Sequence, residues 1–179
     1  MDYKGIGLVF VRTALRNAGP AAEKKVLDEL TPEELRIYED ATASQWVPIT
    51  LATRLFELSA PVLHPGKPLA LRLVGRDLAR DNMQGAYRIF LRVLTPKFLL
   101  EQTARVWSTY HRHGTSHVVV IGPNEVDVIV EDYPRLPERF RECMCGWMSE
   151  AIGLTGAKLP FVTKHDENPR AWRWRLRWQ

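Results

Sequence analysis

Residues 116–131 read SHVVVIGPNEVDVIVE, and this stretch decides the fold. His117 to Ile121 is a β-branched run, Gly122-Pro123-Asn124 carries turn chemistry, and Val126, Val128 and Val130 then alternate with Asp127 and Glu131. Period-two alternation on one side of a turn is the pattern of a hairpin with one wet face. Downstream, Phe140, Met144, Trp147, Met148, Ala151 and Leu154 recur at helical spacing between Pro137 and Leu154, opposite Glu138, Arg139, Arg141, Glu142 and Glu150. Gly156 closes that helix. Ala157 to Thr163 and Arg170 to Trp178 then read as two further strands around the turn Asp166-Glu167-Asn168-Pro169, the last alternating Trp172, Trp174, Leu176 and Trp178 with Arg173, Arg175 and Arg177.

Upstream the pattern is helical. Gly5 to Arg12 is apolar and β-branched enough to read as a strand, with a helix running to Asn17 as the alternative. Ala21 to Leu30 is a short helix, and Thr31-Pro32-Glu33-Glu34 is a capping box with proline at the first helical position. Ile49, Ala52, Leu55, Phe56 and Leu58 trace a helix face ending before Pro61. Leu69, Leu71, Val74 and Leu78 open another, which a break at Asn82 to Gly85 separates from Tyr87, Phe90, Leu91 and Leu94. Thr95-Pro96 starts a helix with the stripe Leu99, Leu100, Thr103, Val106, Trp107 and Tyr110; His111, Arg112 and His113 fall in its last turn and Gly114 ends it. The expected fold is α+β: an N-terminal helical layer packed on a four- or five-stranded antiparallel sheet with an inserted helix, as one domain over residues 1–179.

Composition narrows the function classes. A chain of 179 residues with 45% hydrophobic and 26% charged residues has a globular balance, not a disordered one. No apolar run reaches the roughly 20 residues of a membrane span and no leader pattern precedes the first helix, so the expectation is a soluble, cytoplasmic protein with no membrane partner. The net charge of +4 is spread along the chain, and nucleic acid is not an expected partner. Cys143 and Cys145 lie two apart on one helix, where their side chains diverge; they are expected as free thiols filling apolar space.

The segment from Gly153-Leu154-Thr155-Gly156 through the strand Ala157 to Lys164, the polar turn Asp166 to Pro169 and the closing Arg177-Trp178 resembles the 4-vinyl-reductase-like small-molecule-binding domain. That domain's superfamily includes heme-nitric-oxide-binding domains and TRAPP subunits. Gly7-Leu8-Val9-Phe10, Trp46-Val47-Pro48, Gly75-Arg76-Asp77-Leu78-Ala79, Gly85-Ala86-Tyr87-Arg88 and Thr95-Pro96 look similar to an uncharacterised bacterial family, common in myxobacteria, of the same superfamily. The resemblance implies a ligand cavity between sheet and helices, frequent homodimerisation, and a sensory or scaffolding role. Aromatic-sensing members carry zinc-binding cysteines in the last two strands; residues 163–172 contain none, so no zinc site is expected.

No glycine-rich phosphate loop, metal set or nucleophile-base pair is visible. The reading is therefore a non-enzymatic small-molecule-binding or interaction module with no cofactor, binding an apolar ligand and dimerising. An enzyme of tetrapyrrole or related metabolism, or a basic nucleic-acid binder using Arg173, Arg175 and Arg177, are the alternatives. The candidate ligand-binding residues are Phe90, Trp107, Tyr110 and Trp147, aromatics that helical spacing directs toward one apolar space, with the tyrosine hydroxyl as polar handle. His111, His113 and His117 are read as capping and surface histidines, and the arginine row as a guard on a sheet edge.

Overall fold

Residues 1–83, 95–165 and 170–179 are described by the structure, a computed structural model. Phe90 and the expected helix around it lie outside the described residues. The chain opens with β1 (Asp2–Lys4), which pairs antiparallel with β2 (Trp46–Pro48), Tyr3 opposite Val47. Between them run α1 (Ile6–Ala18), α2 (Pro20–Leu27) and α3 (Pro32–Asp40). The expected strand at Gly5 to Arg12 is thus the start of a helix. Leu8, Val11 and Leu15 recur at helical intervals and are fully buried, so packing of that stripe overrides the β-branched local preference. The same turn of helix carries the Arg12 guanidinium to the carbonyls of Tyr38 and Ala41, at 2.8 and 2.9 Å, closing the C-terminal end of α3. The capping box forms as expected, Glu34 N–H donating to Thr31 Oγ1 and Thr31 N–H to the Glu34 carboxylate.

α4 (Ile49–Leu63) passes Pro61 rather than stopping before it, since a proline three residues from the end forfeits one hydrogen bond only. α5 (Ala70–Met83) crosses α8 (Glu138–Leu154) at very short range. Gly75 and Gly146 make that approach feasible: a Cβ on Gly146 would fall 1.9 Å from the Arg72 carbonyl oxygen, and one on Gly75 2.0 Å from that of Cys143. Ion pairs from Arg72 to Glu142 and from Arg76 and Arg80 to Glu150 lie along the same seam. The helix expected from Pro96 to His113 is divided at Gln102 into α6 (Pro96–Glu101) and α7 (Thr103–Tyr110).

The sheet is antiparallel, with β3 (Thr115–Gly122), β4 (Glu125–Glu131), β5 (Phe161–His165) and β6 (Ala171–Arg177) in the order β3-β4-β6-β5. The hairpin and its alternation stand: Val126, Val128 and Val130 pair with Leu176, Trp174 and Trp172 on the face that α8 covers. Trp174 is completely buried there, its indole N–H donating to the Arg141 carbonyl at 3.1 Å. Arg141, expected on the solvated side of the helix, is buried and lies over the Trp172 ring at 4.5 Å.

β6 is not an edge strand, so the arginine row does not guard an edge. Each arginine faces a carboxylate on the neighbouring strand: Arg175 grips Asp127 through two bonds of 2.8 and 2.9 Å, Arg173 approaches the same carboxylate, and Arg177 meets Glu125 at 2.9 Å. The guanidinium on Asp127 holds its carboxyl below the usual carboxylate range. This ladder neutralises the positive stripe on which a nucleic-acid reading would depend.

Candidate functional site

Three of the four candidate residues converge. Trp107 and Tyr110, one turn apart on α7, face Trp147 of α8, and the Tyr110 and Trp147 rings meet edge-on at 6.2 Å between centroids. They border an apolar cavity of about 70 Å³. Leu100 of α6, Met144 and Met148 of α8, and Val128 and Leu176 of the sheet complete much of its wall. Helical spacing explains the convergence: residues three and four apart share a face, and both helices pack on the four-stranded sheet, α7 chiefly on β3 and α8 chiefly on β5.

Among the lining residues that sequence reasoning missed are Tyr3, Asn82 and His111. Tyr3 reaches the cavity because β1 is held by β2 and by a bridge to His111, a pairing more than a hundred residues apart with no local signature. Helix α7 ends at Tyr110, and His111 takes extended backbone and turns inward instead of capping the last turn. It is 4% exposed, stacked on Trp107 at 3.8 Å with the rings 6° from parallel, and met edge-on by Tyr133 and Phe140. Burial pushes its imidazole down to about 3, so the ring is neutral throughout the physiological range. The expectation of surface histidines therefore fails at His111.

Two polar groups on this wall lack partners. His111 Nδ1 and both amide atoms of Asn82 are buried with no hydrogen bond. By contrast the Trp107 indole N–H is satisfied, donating to the His113 carbonyl at 2.9 Å. Tyr3 is fully enclosed, and burial pushes its hydroxyl well above the ordinary tyrosine range, which keeps it protonated. Both cysteines are free and buried; burial raises Cys145 to about 11 and Cys143 further, so both are thiols, not thiolates. Among the described residues no three His, Cys, Asp or Glu side chains are gathered as a metal centre. No helix among them is long and apolar enough to cross a membrane.

A wider cleft, about 650 Å³, lies against the other side of α6 and α7 and shares Leu100 and Thr103 with the cavity. Its floor is Val118, Val120 and Val126, and Trp178 stands at its border. Helices α6 and α7 are thus a two-sided wall.

The fold of the chain is similar to the Fe(II) unliganded H-NOX protein from K. algicida (TM-score 0.66, 13% identity, 98% of this chain and 96% of that one). It is similar also to an S. oneidensis H-NOX protein in the Fe(II)NO state (TM-score 0.67, 12% identity, 98% and 99% covered). The IWP-051-bound H-NOX from Shewanella woodyi in the Fe(II)CO state gives a TM-score of 0.65 at 14% identity, with 97% and 93% covered. At such identities the likeness establishes the fold. In sequence, the chain belongs to the family described as Protein of unknown function (DUF2378), whose profile matches residues 7–179. No curated protein matches it.

The iron in those neighbours raises the question whether this cavity fits heme. It does not. Its volume of about 70 Å³ is far below the roughly 300 Å³ at which sites for drug-sized ligands begin. Of the five histidines in the chain, His111 alone lines it, and its ring is stacked on Trp107 and met edge-on by Tyr133 and Phe140. Among the described residues no lysine or arginine lines it to receive carboxylate side arms. In the wider cleft the histidine is His117, whose ring turns toward Glu131 on the opposite sheet face, 3.9 Å away.

Proposed function

We propose that this protein is a non-enzymatic sensor module that captures a small apolar molecule between α7, α8 and the sheet. The observation that carries the reading is the convergence of Trp107, Tyr110 and Trp147 on one cavity walled by apolar side chains of six elements. Aromatic and aliphatic walls favour ligands that lose little by leaving water. The H-NOX-like fold supports a small-molecule-binding role, since two of those neighbours are described in Fe(II)NO and Fe(II)CO ligation states. Occupancy would bear on the packing of α6 and α7, which reach the surface through the adjoining cleft.

The module acts as a homodimer through β3. This strand ends the sheet and exposes Val119, Val120 and Ile121, Val120 to 74%, with no charged residue among them. An apolar, unblunted edge is one that natural proteins cover, and a second copy covers it isologously.

Size sets the affinity. A ligand of four non-hydrogen atoms gains at most about 6 kcal/mol, a Kd no tighter than about 40 μM. The test is therefore a titration followed at the methyl groups of Met144 and Met148, using cyclopropane as probe and methyl-labelled protein. Saturable shifts at these two methyls are the expected result. Unchanged spectra at saturating gas would refute the cavity as a binding site.

A further inference from the structure

We infer that the cavity takes, directly and without a macrocycle, a small neutral molecule with an apolar body and one hydroxyl or carbonyl group, held by Asn82 and His111. This rests on the proposed function and specifies its ligand class.

Three observations lead there. A cavity of about 70 Å³ is roughly half the ~150 Å³ that accommodates benzene, which limits the body to about two to four non-hydrogen atoms. The second is the pair of polar side chains without partners. Buried polar groups in folded proteins are almost always hydrogen-bonded, so an amide with both atoms orphaned and an imidazole with an orphaned Nδ1, both lining the cavity, mark a place for something not in the chain. His111 is 96% buried by its 4% exposure and cannot turn away to find solvent, because Trp107, Tyr133 and Phe140 hold its ring.

Charge is the third. Among the described residues no lysine, arginine, aspartate or glutamate lines the cavity, so that lining offers an ionised ligand no counter-ion. It suits a neutral ligand. The Asn82 amide offers two N–H donors and one acceptor, and the neutral imidazole offers either a donor or an acceptor at Nδ1 according to tautomer. A hydroxyl can serve both kinds of partner and a carbonyl can serve the donors, whereas a hydrocarbon leaves all of them unpaired.

The experiment compares two probes, cyclopropane and 2-propanol, on wild type, Asn82→Leu and His111→Phe, each titrated on the full chain by the Met144 and Met148 methyl shifts. Asn82→Leu replaces orphaned polar atoms by an apolar group of like size, so it is expected to fold at least as stably; His111→Phe keeps an aromatic ring in the stack and provides an independent second variant. We expect 2-propanol to lose about tenfold in affinity on Asn82→Leu while cyclopropane binds the variant undiminished, and His111→Phe to move the ratio of the two affinities in the same direction. An unchanged ratio in both variants, with cyclopropane still bound, overturns the polar assignment and leaves the cavity reading intact. Failure of both cyclopropane and 2-propanol to bind wild type overturns both. Hemin provides the last arm: a stoichiometric, saturable Soret band that His111→Phe abolishes would overturn direct capture, and an unaltered free-hemin spectrum supports it.

Discussion

Lowering the pH should destabilise this protein through His111. The residue is 4% exposed and its ring contacts are Tyr3, Trp107, Tyr133 and Phe140; the titratable neighbours among them, Tyr3 and Tyr133, are held neutral by burial, so no carboxylate there compensates an imidazolium. Desolvation alone sets its folded value at about 3, against an ordinary 6.5. The folded pKa is depressed, so the unfolded state binds the proton first. The associated stability is present above pH 6.5 and is lost as the pH falls from there toward 3. Between pH 7 and pH 4.5 the linkage amounts to about 2.5 kcal/mol, a large share of the stability of a domain of this size. Urea unfolding of wild type and His111→Phe at the two pH values isolates it, because other titrations occur in both. Wild type should lose about 2.5 kcal/mol more than the variant over that interval. Equal losses would show that the ring is hydrated or paired in the folded state, and would refute the burial on which the cavity geometry depends.

Other perturbations read different parts of the account. Gly146→Ala would press a methyl against the Arg72 carbonyl, and overpacking at this helix crossing should cost about 1–3 kcal/mol, or more if the backbones cannot separate; a neutral effect by thermal denaturation would mean that α5 and α8 lie further apart. Trp147→Ala removes one wall, so stability should fall by about 3 kcal/mol while the enlarged cavity acquires binding of benzene, seen by the same methyl shifts; loss of stability without any gained binding would indicate a collapsed core. Val120→Lys places a charge on the β3 edge and should convert dimer to monomer in sedimentation at micromolar concentration, with wild type monomeric under the same conditions as the contrary result.

Much of the fold was legible because its signals are local. The hairpin at Thr115 to Glu131, the Trp and Arg alternation of β6, the capping box at Thr31 and the stripe of α8 each follow from spacing within a few residues. The errors have a common origin in long-range contacts. Residues 6–12 satisfy a strand pattern as well as a helical one, and only the burial of Leu8, Val11 and Leu15 against other helices decides between them. Nothing near Tyr3 announces Val47 or His111 as partners. The position of β6 inside the sheet, which turns the arginines from an edge guard into an ion-pair ladder, is set by strand order, a property of the assembled chain. Three aromatics of the site, Trp107, Tyr110 and Trp147, could be selected from helical spacing; Asn82 and His111 could not, since an orphaned polar atom exists only once its surroundings are packed.

Diffraction from crystals pressurised with xenon tests the central claim most directly, because the atom is apolar, dense and small enough for a cavity of about 70 Å³. Direct capture predicts one ordered xenon site bounded by Trp107, Tyr110 and Trp147, with the surrounding side chains unmoved. Side chains filling that space with no xenon peak, or a porphyrin in its place, would contradict it.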